Sequence, residues 1–212
     1  METATDVYIR AGYTKIYDID TINQRFQAEL IIESKWRDLN IKNVNDDISK
    51  ITWKPELFIE NSLNNVKEEI SYKIINDDVS RDTLIVSEIR KVSGLFHECL
   101  ELESFPLDIQ NLSTFISTKK SEKKINFVLM QPELAQVTIN STLDKSMWHI
   151  HKVVKTQKES LITEFSFGKI EYPVIKITCQ AFRSPIYFYW NVLLPIILVT
   201  FSALGPFVLD HK

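Results

Sequence analysis

The sequence has little glycine, little cysteine and no large excess of charge of either sign. Only four glycines occur, and no two of them lie close enough to form a phosphate-binding loop. The two cysteines, Cys99 and Cys179, are far apart in the chain, so the sequence predicts two free thiols and no disulfide. With 25 basic and 28 acidic residues, the net charge of −3 gives no electrostatic reason to expect a nucleic-acid partner.

The groups that an enzyme or a metal site needs are also scarce. No serine stands in a Gly-x-Ser-x-Gly pattern. His149 and His151 would point to one face of a strand, but no third ligand is evident, which favours two surface histidines over a metal pair. The acidic stretch from Asn76 to Asp82 has calcium-type ligands, and a bare acidic turn explains it more simply. We therefore expect no catalytic residue, no metal and no cofactor.

One long apolar run contrasts with the rest of the chain. Residues Ser184 to Leu209 include no charged residue in 26 positions. As a helix this run would be roughly 39 Å long, longer than the ~30 Å hydrocarbon core of a bilayer. An aromatic cluster from Tyr187 to Trp190 fits the membrane interface, and Pro195 is expected to bend the helix. The alternative is a buried core helix.

The residues before this run have the pattern of β-strands. In the segment RFQAELIIE, Phe26, Ala28, Leu30 and Ile32 fall on one face and mostly charged residues on the other, which is typical of a half-buried strand. Further short runs are rich in β-branched and aromatic residues, and polar turn clusters separate them. This spacing predicts an all-β antiparallel sandwich.

The sequence features that indicate cellular location disagree with each other. No basic segment followed by an apolar segment is visible after Met1, so no signal peptide is predicted. However, Asn111 and Asn140 stand in N-glycosylation sequons, which have meaning only in the secretory lumen. We therefore expect that the chain is an incomplete version of a longer protein, lacking a leader before Met1 and further residues after Lys212.

Four segments in order carry a resemblance to a known family: IYDIDTINQRFQAELIIESKWRD, WKPELFIEN, FPLDIQNLS and RSPIYFYWNVLLP. In this order they resemble the pentameric ligand-gated ion channels, also called the Cys-loop receptor superfamily. The resemblance implies an immunoglobulin-like, extracellular ligand-binding β-sandwich over residues 1–183. It also implies a first transmembrane helix over 184–209, a loop that starts at 210, and a plasma-membrane location.

The FPLDIQ segment resembles the loop that rests on the membrane domain in this family. In the animal receptors a disulfide closes that loop, with cysteines seven residues before and seven residues after the phenylalanine. Glu98 and Leu112 occupy those positions here, so the chain is similar to the branch without the disulfide. The resemblance implies a loop held by packing, in which Phe105 and Pro106 dock apolar surface and fix the turn.

The resemblance also implies residues that couple the sandwich to a pore. Asp108 would pair with Arg183, which resembles the family's arginine at the boundary between the domain and the membrane. Thr21 and Ile22 fall in the turn between the first two strands, which contacts the pore domain in the family. The alternative for Arg183 is an ordinary residue flanking a membrane helix.

In the family, the ligand binds between neighbouring subunits in an aromatic box. This sequence departs from that box, because Glu60 and Ile31 replace two of its aromatic residues. A later hairpin offers Phe165 and Phe167. Glu60 favours a cationic group, and a proton or a metal ion is a further possibility. We interpret Trp36, Trp53 and Trp148 as core residues and not as ligand contacts.

Together these features predict a non-enzymatic subunit, or a fragment of one, of an extracellular ligand-gated ion channel. Its partners would be the membrane, a small-molecule or ionic ligand, and the other subunits of a homo- or hetero-pentamer. Two alternatives are a truncated, non-conducting modulatory subunit and a membrane-tethered β-sandwich recognition protein.

Overall fold

Two β-sheets pack face to face over an apolar core, and a long helix comes after the last strand. The computed structural model describes residues 4–38, 40, 41, 43, 48–64, 66–76, 84–130, 147–162 and 171–209. Within these ranges there are nine strands: β1 (Thr5–Asp20), β2 (Arg25–Trp36), β3 (Leu57–Ile59), β4 (Lys67–Asn76), β5 (Leu84–His97), β6 (Ile109–Thr118), β7 (Ile125–Leu129), β8 (Trp148–Ile162) and β9 (Glu171–Arg183). A short 3-10 turn covers Ile48–Lys50. The predicted β-sandwich is confirmed.

The strands form one five-stranded and one four-stranded sheet. The first has the order β4-β5-β2-β1-β7, and the second has the order β3-β6-β9-β8. Strands β1 and β7 pair in parallel, whereas the other pairs among the described strands are antiparallel. The sandwich is therefore antiparallel except at this one junction.

Strand β2 shows why the sequence pattern gives this fold. Phe26, Ala28, Leu30 and Ile32 are fully buried, as their alternation predicts. From the neighbouring β1, the buried Tyr13 hydroxyl lies 2.7 Å from the Thr114 hydroxyl of β6. This contact joins the two sheets, and it satisfies a polar group that burial would otherwise destabilise.

Strand β4 is an element that the apolar pattern does not single out. It lies at the edge of the five-stranded sheet, and most of its side chains are exposed. Its charged residues, such as Glu69 and Lys73, suit an edge that must not pair with another chain. The predicted run QVTI at positions 136–139 lies outside the described residues.

The apolar run after Arg183 is helical, as predicted. It comprises α1 (Pro185–Phe188), a π-helical turn (Tyr189–Leu193) and α2 (Leu194–Leu209). The wide turn comes just before Pro195, whose ring and missing N–H disturb regular helical hydrogen bonding. Over the 21 residues Pro185–Gly205 the helix is long and apolar enough to cross a membrane, and its side chains there are exposed or at most half-buried.

An ion pair lies on the inward face of β5, where an apolar core would be expected. The Glu88 side chain is 1% exposed, and its Oε1 accepts a hydrogen bond from Arg90 Nε (3.0 Å) and lies 2.9 Å from Arg90 Nη2. Arg90 Nη1 also donates to Glu68 Oε2 of β4 (2.9 Å) and to the Leu57 carbonyl of β3 (2.6 Å). Arg90 therefore connects the two sheets, and its charge stabilises two carboxylates.

We predict that Arg90→Ala lowers the free energy of unfolding by about 3–5 kcal/mol, because the buried Glu88 carboxylate would lose its counter-charge. The measurement is chemical unfolding of the detergent-solubilised chain. Lys73→Ala removes an exposed cation from the neighbouring edge strand and should change stability by less than about 0.5 kcal/mol. Equal effects of the two substitutions would contradict the role of Arg90.

Candidate functional site

The residues predicted to act in coupling gather at one end of the sandwich. The turn after β1 contains Thr21 and Ile22, and the loop between β5 and β6 contains Phe105, Pro106 and Asp108. Strand β9 ends at Arg183 at the same end, because Phe182 pairs with Ile109 at the start of β6. The helix leaves the sandwich from this end, so all these residues lie where the two parts of the chain meet.

Asp108 and Arg183 form a nearly buried ion pair. Arg183 Nε donates to Asp108 Oδ1 at 2.6 Å, and Arg183 Nη2 donates to Asp108 Oδ2 at 3.1 Å. The side chains are 2% and 11% exposed for Asp108 and Arg183, respectively. The backbone N–H of Arg183 also donates to the Asp108 carbonyl at 3.2 Å. The pair predicted from the resemblance is present, whereas its role in coupling stays a prediction.

Gln110 holds the carboxylate from the other side. Its Nε2 lies 2.7 Å from Asp108 Oδ2 and 2.6 Å from the carbonyl oxygen of Glu101. Burial would raise the pKa of Asp108, but the hydrogen bonds from Arg183 and Gln110 outweigh it, so the pKa is lowered from its ordinary value of 3.8. The sequence reasoning missed Gln110, although it stands two residues after the aspartate, at the i+2 spacing of residues on one strand face.

Aromatic rings cover the guanidinium group of Arg183. Its carbon lies 4.2 Å from the centre of the Trp148 ring and 5.0 Å from the centre of the Phe105 ring. Trp148 is buried, as predicted for a core residue, but it also supports the cation. Sequence reasoning missed this contact, because nothing in the linear pattern relates Trp148 to Arg183.

The loop also touches the helix. The rings of Phe105 and Phe188 meet edge to face, with centres 5.2 Å apart. Beside them is a mostly apolar cleft of about 180 Å³, whose lining includes Met147, Tyr187 and Val192. Phe105 therefore contacts both Arg183 and the first turn of the helix, and the peptide bond between Phe105 and Pro106 is cis.

The turn that contains Thr21 and Ile22 lies beside the start of this loop. Glu98 N–H donates to the carbonyl of Gln24 at 3.1 Å. The Ile22 side chain is 88% exposed, which leaves it free to contact another surface. The two loops are thus neighbours through the Gln24–Glu98 backbone bond.

Side-chain hydrogen bonds add to the packing that the resemblance implies for this loop. Glu98 Oε2 accepts a hydrogen bond of 2.9 Å from the Ser113 N–H, next to the buried Leu112. Asn61 adds a second link, because its Nδ2 donates to the carbonyls of His97 (2.7 Å) and Ser113 (2.9 Å). Hydrogen bonds from side chains therefore close the loop together with packing.

The residues predicted to bind the ligand do not lie together in the part of the chain that the structure describes. Ile31 is exposed on the outer face of β2, opposite Gly12 of β1 and Lys91 of β5. Glu60 is exposed after β3, in the other sheet, and its N–H donates to the Phe115 carbonyl at 2.9 Å. Ile31 and Glu60 therefore belong to different sheets of one subunit. Phe165 and Phe167 lie outside the described residues.

Trp36 is a core residue, as interpreted from the sequence, whereas Trp53 is only partly buried and packs against the core. Trp36 is fully buried, and the two rings meet edge to face with centres 6.0 Å apart. Lys120 Nζ lies 4.3 Å from the centre of the Trp53 ring. The outer face of this aromatic pair is therefore already covered by an ammonium group of the same chain.

The remaining predictions concern modification and metals. Asn111 is exposed on β6, where its Oδ1 accepts from Gln180 Nε2 at 3.2 Å, whereas Asn140 lies outside the described residues. Both cysteines are free, Cys99 exposed and Cys179 buried. In the described ranges, no three His, Cys, Asp or Glu side chains group as a metal site would require. Most of the acidic turn from Asn76 to Asp82 lies outside those ranges.

Comparison with known proteins gives two findings. Residues 1–184 match the model of a family described as "Neurotransmitter-gated ion-channel ligand binding domain". The chain is also similar to the acetylcholine receptor subunit alpha-type des-2 of Caenorhabditis elegans, with 24% identity over 213 aligned positions. That alignment covers 91% of this chain and 37% of the relative, so the chain spans little more than a third of that protein's length.

We predict that Arg183→Gln lowers the free energy of unfolding by about 3–5 kcal/mol, because the Asp108 carboxylate would stay buried without its counter-charge. Chemical unfolding of the detergent-solubilised chain measures the change. Arg25→Gln is the matched control, because it breaks the more exposed ion pair with Asp20 and should therefore change the stability much less.

We also predict a loss of stability in acid that depends on Asp108. A carboxyl group whose pKa is lowered by folding stabilises the fold above its unfolded value, here near 3.8, and this contribution is lost as the pH falls through the lower folded pKa. Unfolding curves recorded at decreasing pH should show a larger loss of stability in the wild type than in Asp108→Asn, which keeps the contributions of other carboxyl groups such as Glu29. Parallel curves for the two proteins would contradict the lowered pKa.

Proposed function

Because the chain belongs to the neurotransmitter-gated ion-channel ligand-binding domain family, we propose that it is the ligand-binding part of a ligand-gated ion-channel subunit. This family is not an enzyme class. The boundary of the family match, at residue 184, coincides with the start of the apolar helix, so the proposed receptor domain is 1–183 and the proposed first membrane helix is 184–209.

The Asp108–Arg183 ion pair is the observation that carries the proposal. It fixes the loop between β5 and β6 to the strand end directly before the helix. An ion pair at this point makes a rigid connection, because both charges are shielded from water and either one alone would be unfavourable. A change in the packing of the sandwich would then move the helix start.

In the proposed mechanism, a ligand binds between neighbouring subunits and favours one of two packed arrangements of the sandwiches. The coupling residues Thr21, Ile22, Phe105, Pro106, Asp108 and Arg183 pass that preference to a pore. The pore itself would require membrane segments beyond the first helix. Coupling free energies of this kind are about 1–3 kcal/mol, which a rearrangement of a few apolar contacts can supply.

The ligand site would combine surfaces from two subunits. Glu60, just after the edge strand β3, would face Ile31 on the outer face of β2 of a neighbour, and Phe165 and Phe167 would complete the site. The exposed carboxylate of Glu60 favours a small cationic or ionic ligand. The assembly would be a homo- or hetero-pentamer in the plasma membrane with the sandwich outside the cell.

This orientation would place Asn111 in the secretory lumen. Its side chain is exposed on the outer face of β6, so an oligosaccharide could be attached there without entering the core. Asn140 is the second proposed glycosylation position.

The test is to express the complete gene product that contains this chain in oocytes and to record membrane currents. Cationic small molecules, protons and divalent metal ions are applied in turn. We predict a ligand-evoked current, and a lower maximal current for Asp108→Asn at an equal amount of surface protein, because the link to the helix is weakened.

Arg10→Gln serves as the control, since it removes an arginine from a partly exposed ion pair with Glu33 in the β1–β2 ladder, away from the coupling residues. Surface cross-linking that yields a ring of five subunits would support the assembly. Protein that reaches the surface only as a monomer, or that passes no current under any of these conditions, would contradict the proposed function.

A further inference from the structure

The edge of β6 that faces β3 is paired along only part of its length. Strand β3 pairs with β6 from Ile116 to Thr118 and ends there. Nearer the start of β6, the Glu60 N–H reaches the Phe115 carbonyl, but the N–H and carbonyl of Ser113 and the N–H of Phe115 would lack partners on this side if no side chain reached them. Buried backbone groups without partners are strongly unfavourable, so this stretch needs another source of hydrogen bonds.

Two side chains supply those bonds. The Asn61 amide donates to the Ser113 carbonyl at 2.9 Å and accepts from the Phe115 N–H at 3.2 Å. The Glu98 carboxylate accepts from the Ser113 N–H at 2.9 Å. Glu98 thus takes the position that the carbonyl of a neighbouring strand would have.

This contact closes the loop between β5 and β6. Glu98 is the first residue after β5, and Ser113 lies inside β6, beyond Asp108. The backbone of Glu98 is fixed as well, by the bond from its N–H to the Gln24 carbonyl. A change at the Glu98 carboxylate therefore alters how the two ends of the loop are joined.

The surroundings of the Glu98 carboxylate do not hold it firmly in the charged form. Burial is the largest influence and raises its pKa above the ordinary value of 4.5, although the Ser113 N–H, Lys176 of β9 and His97 of β5 act in the opposite direction. The hydroxyl of Tyr13 from β1 also lies within the electrostatic range of Glu98.

We propose that Glu98 is a proton-binding and positioning residue, whose ionised carboxylate joins the ends of the loop through Ser113 and whose protonation loosens that link. An ionised carboxylate accepts a hydrogen bond about twice as strongly as a neutral group, so the link is tighter when the proton is absent. The proposal rests on the geometry of the loop and on the burial of the carboxylate, and it stands whether or not the chain forms a channel.

The sign of the effect on stability differs from that of Asp108. For a carboxyl group whose folded pKa is raised, the stabilising contribution is present below the unfolded value and is lost as the pH rises through the folded pKa. Ionisation of Glu98 therefore strengthens one hydrogen bond while it lowers the overall stability. Binding of a proton to Glu98 thus weakens the link to Ser113 while it stabilises the fold.

The test uses the full chain, labelled with ¹⁵N, in phospholipid nanodiscs. The Ser113 amide resonance is followed from about pH 4 to about pH 8, and a fluorinated tag on the exposed Cys99 thiol reports on the loop. We expect both signals to titrate together with a midpoint above 4.5, and we expect neither to do so in Glu98→Gln.

His97 is an ionisable neighbour that precedes Glu98 directly in the chain, so His97→Gln is the second variant, in which the titration through Glu98 should persist. Because Glu98→Gln keeps the shape and an acceptor oxygen, it should fold like the wild type. The proposal is overturned if the Ser113 amide does not titrate, if Glu98→Gln titrates like the wild type, or if the Cys99 tag is insensitive to the change at Ser113.

Discussion

The ion pair between Asp108 and Arg183 is the contact on which the functional end of the molecule depends. Each charge is nearly removed from water, so each is stable there only because the other is present. Gln110 and the ring of Trp148 then fix the orientation of the pair. The strand that ends at Arg183 continues into the helix, and the position of the helix start is therefore set by a residue in the loop after β5.

Polar side chains have a similar role elsewhere in the sandwich. Arg90 reaches from one sheet to the β3 backbone of the other, and Asn61 and Glu98 replace a missing strand along β6. Such contacts are directional, so they fix relative positions more strictly than apolar packing does. Here hydrogen bonds from Glu98 and Asn61 help to close the loop between β5 and β6.

Much of this architecture could be predicted from simple sequence patterns. The alternation in β2 predicts its buried face, and the charge-free run predicts the helix, because both depend on periodicity along the chain. Strand β4 is missed, since an exposed edge strand has no apolar face to reveal it. The pattern also misses that Glu88 and Arg90 face inward. Charged residues are expected to face solvent, and the sequence alone does not show that these two side chains pair with each other.

Local sequence patterns were enough to predict the β-rich class and the apolar helix. The order of the family segments supported the resemblance, and the resemblance predicted the pairing of Asp108 with Arg183. Several contacts became visible only in the folded molecule. Among them, Trp148 covers the arginine, Asn61 completes the edge of β6, and Glu98 closes the loop. These contacts join residues far apart in the chain, and their existence depends on strand register and on sheet order, which no local pattern encodes.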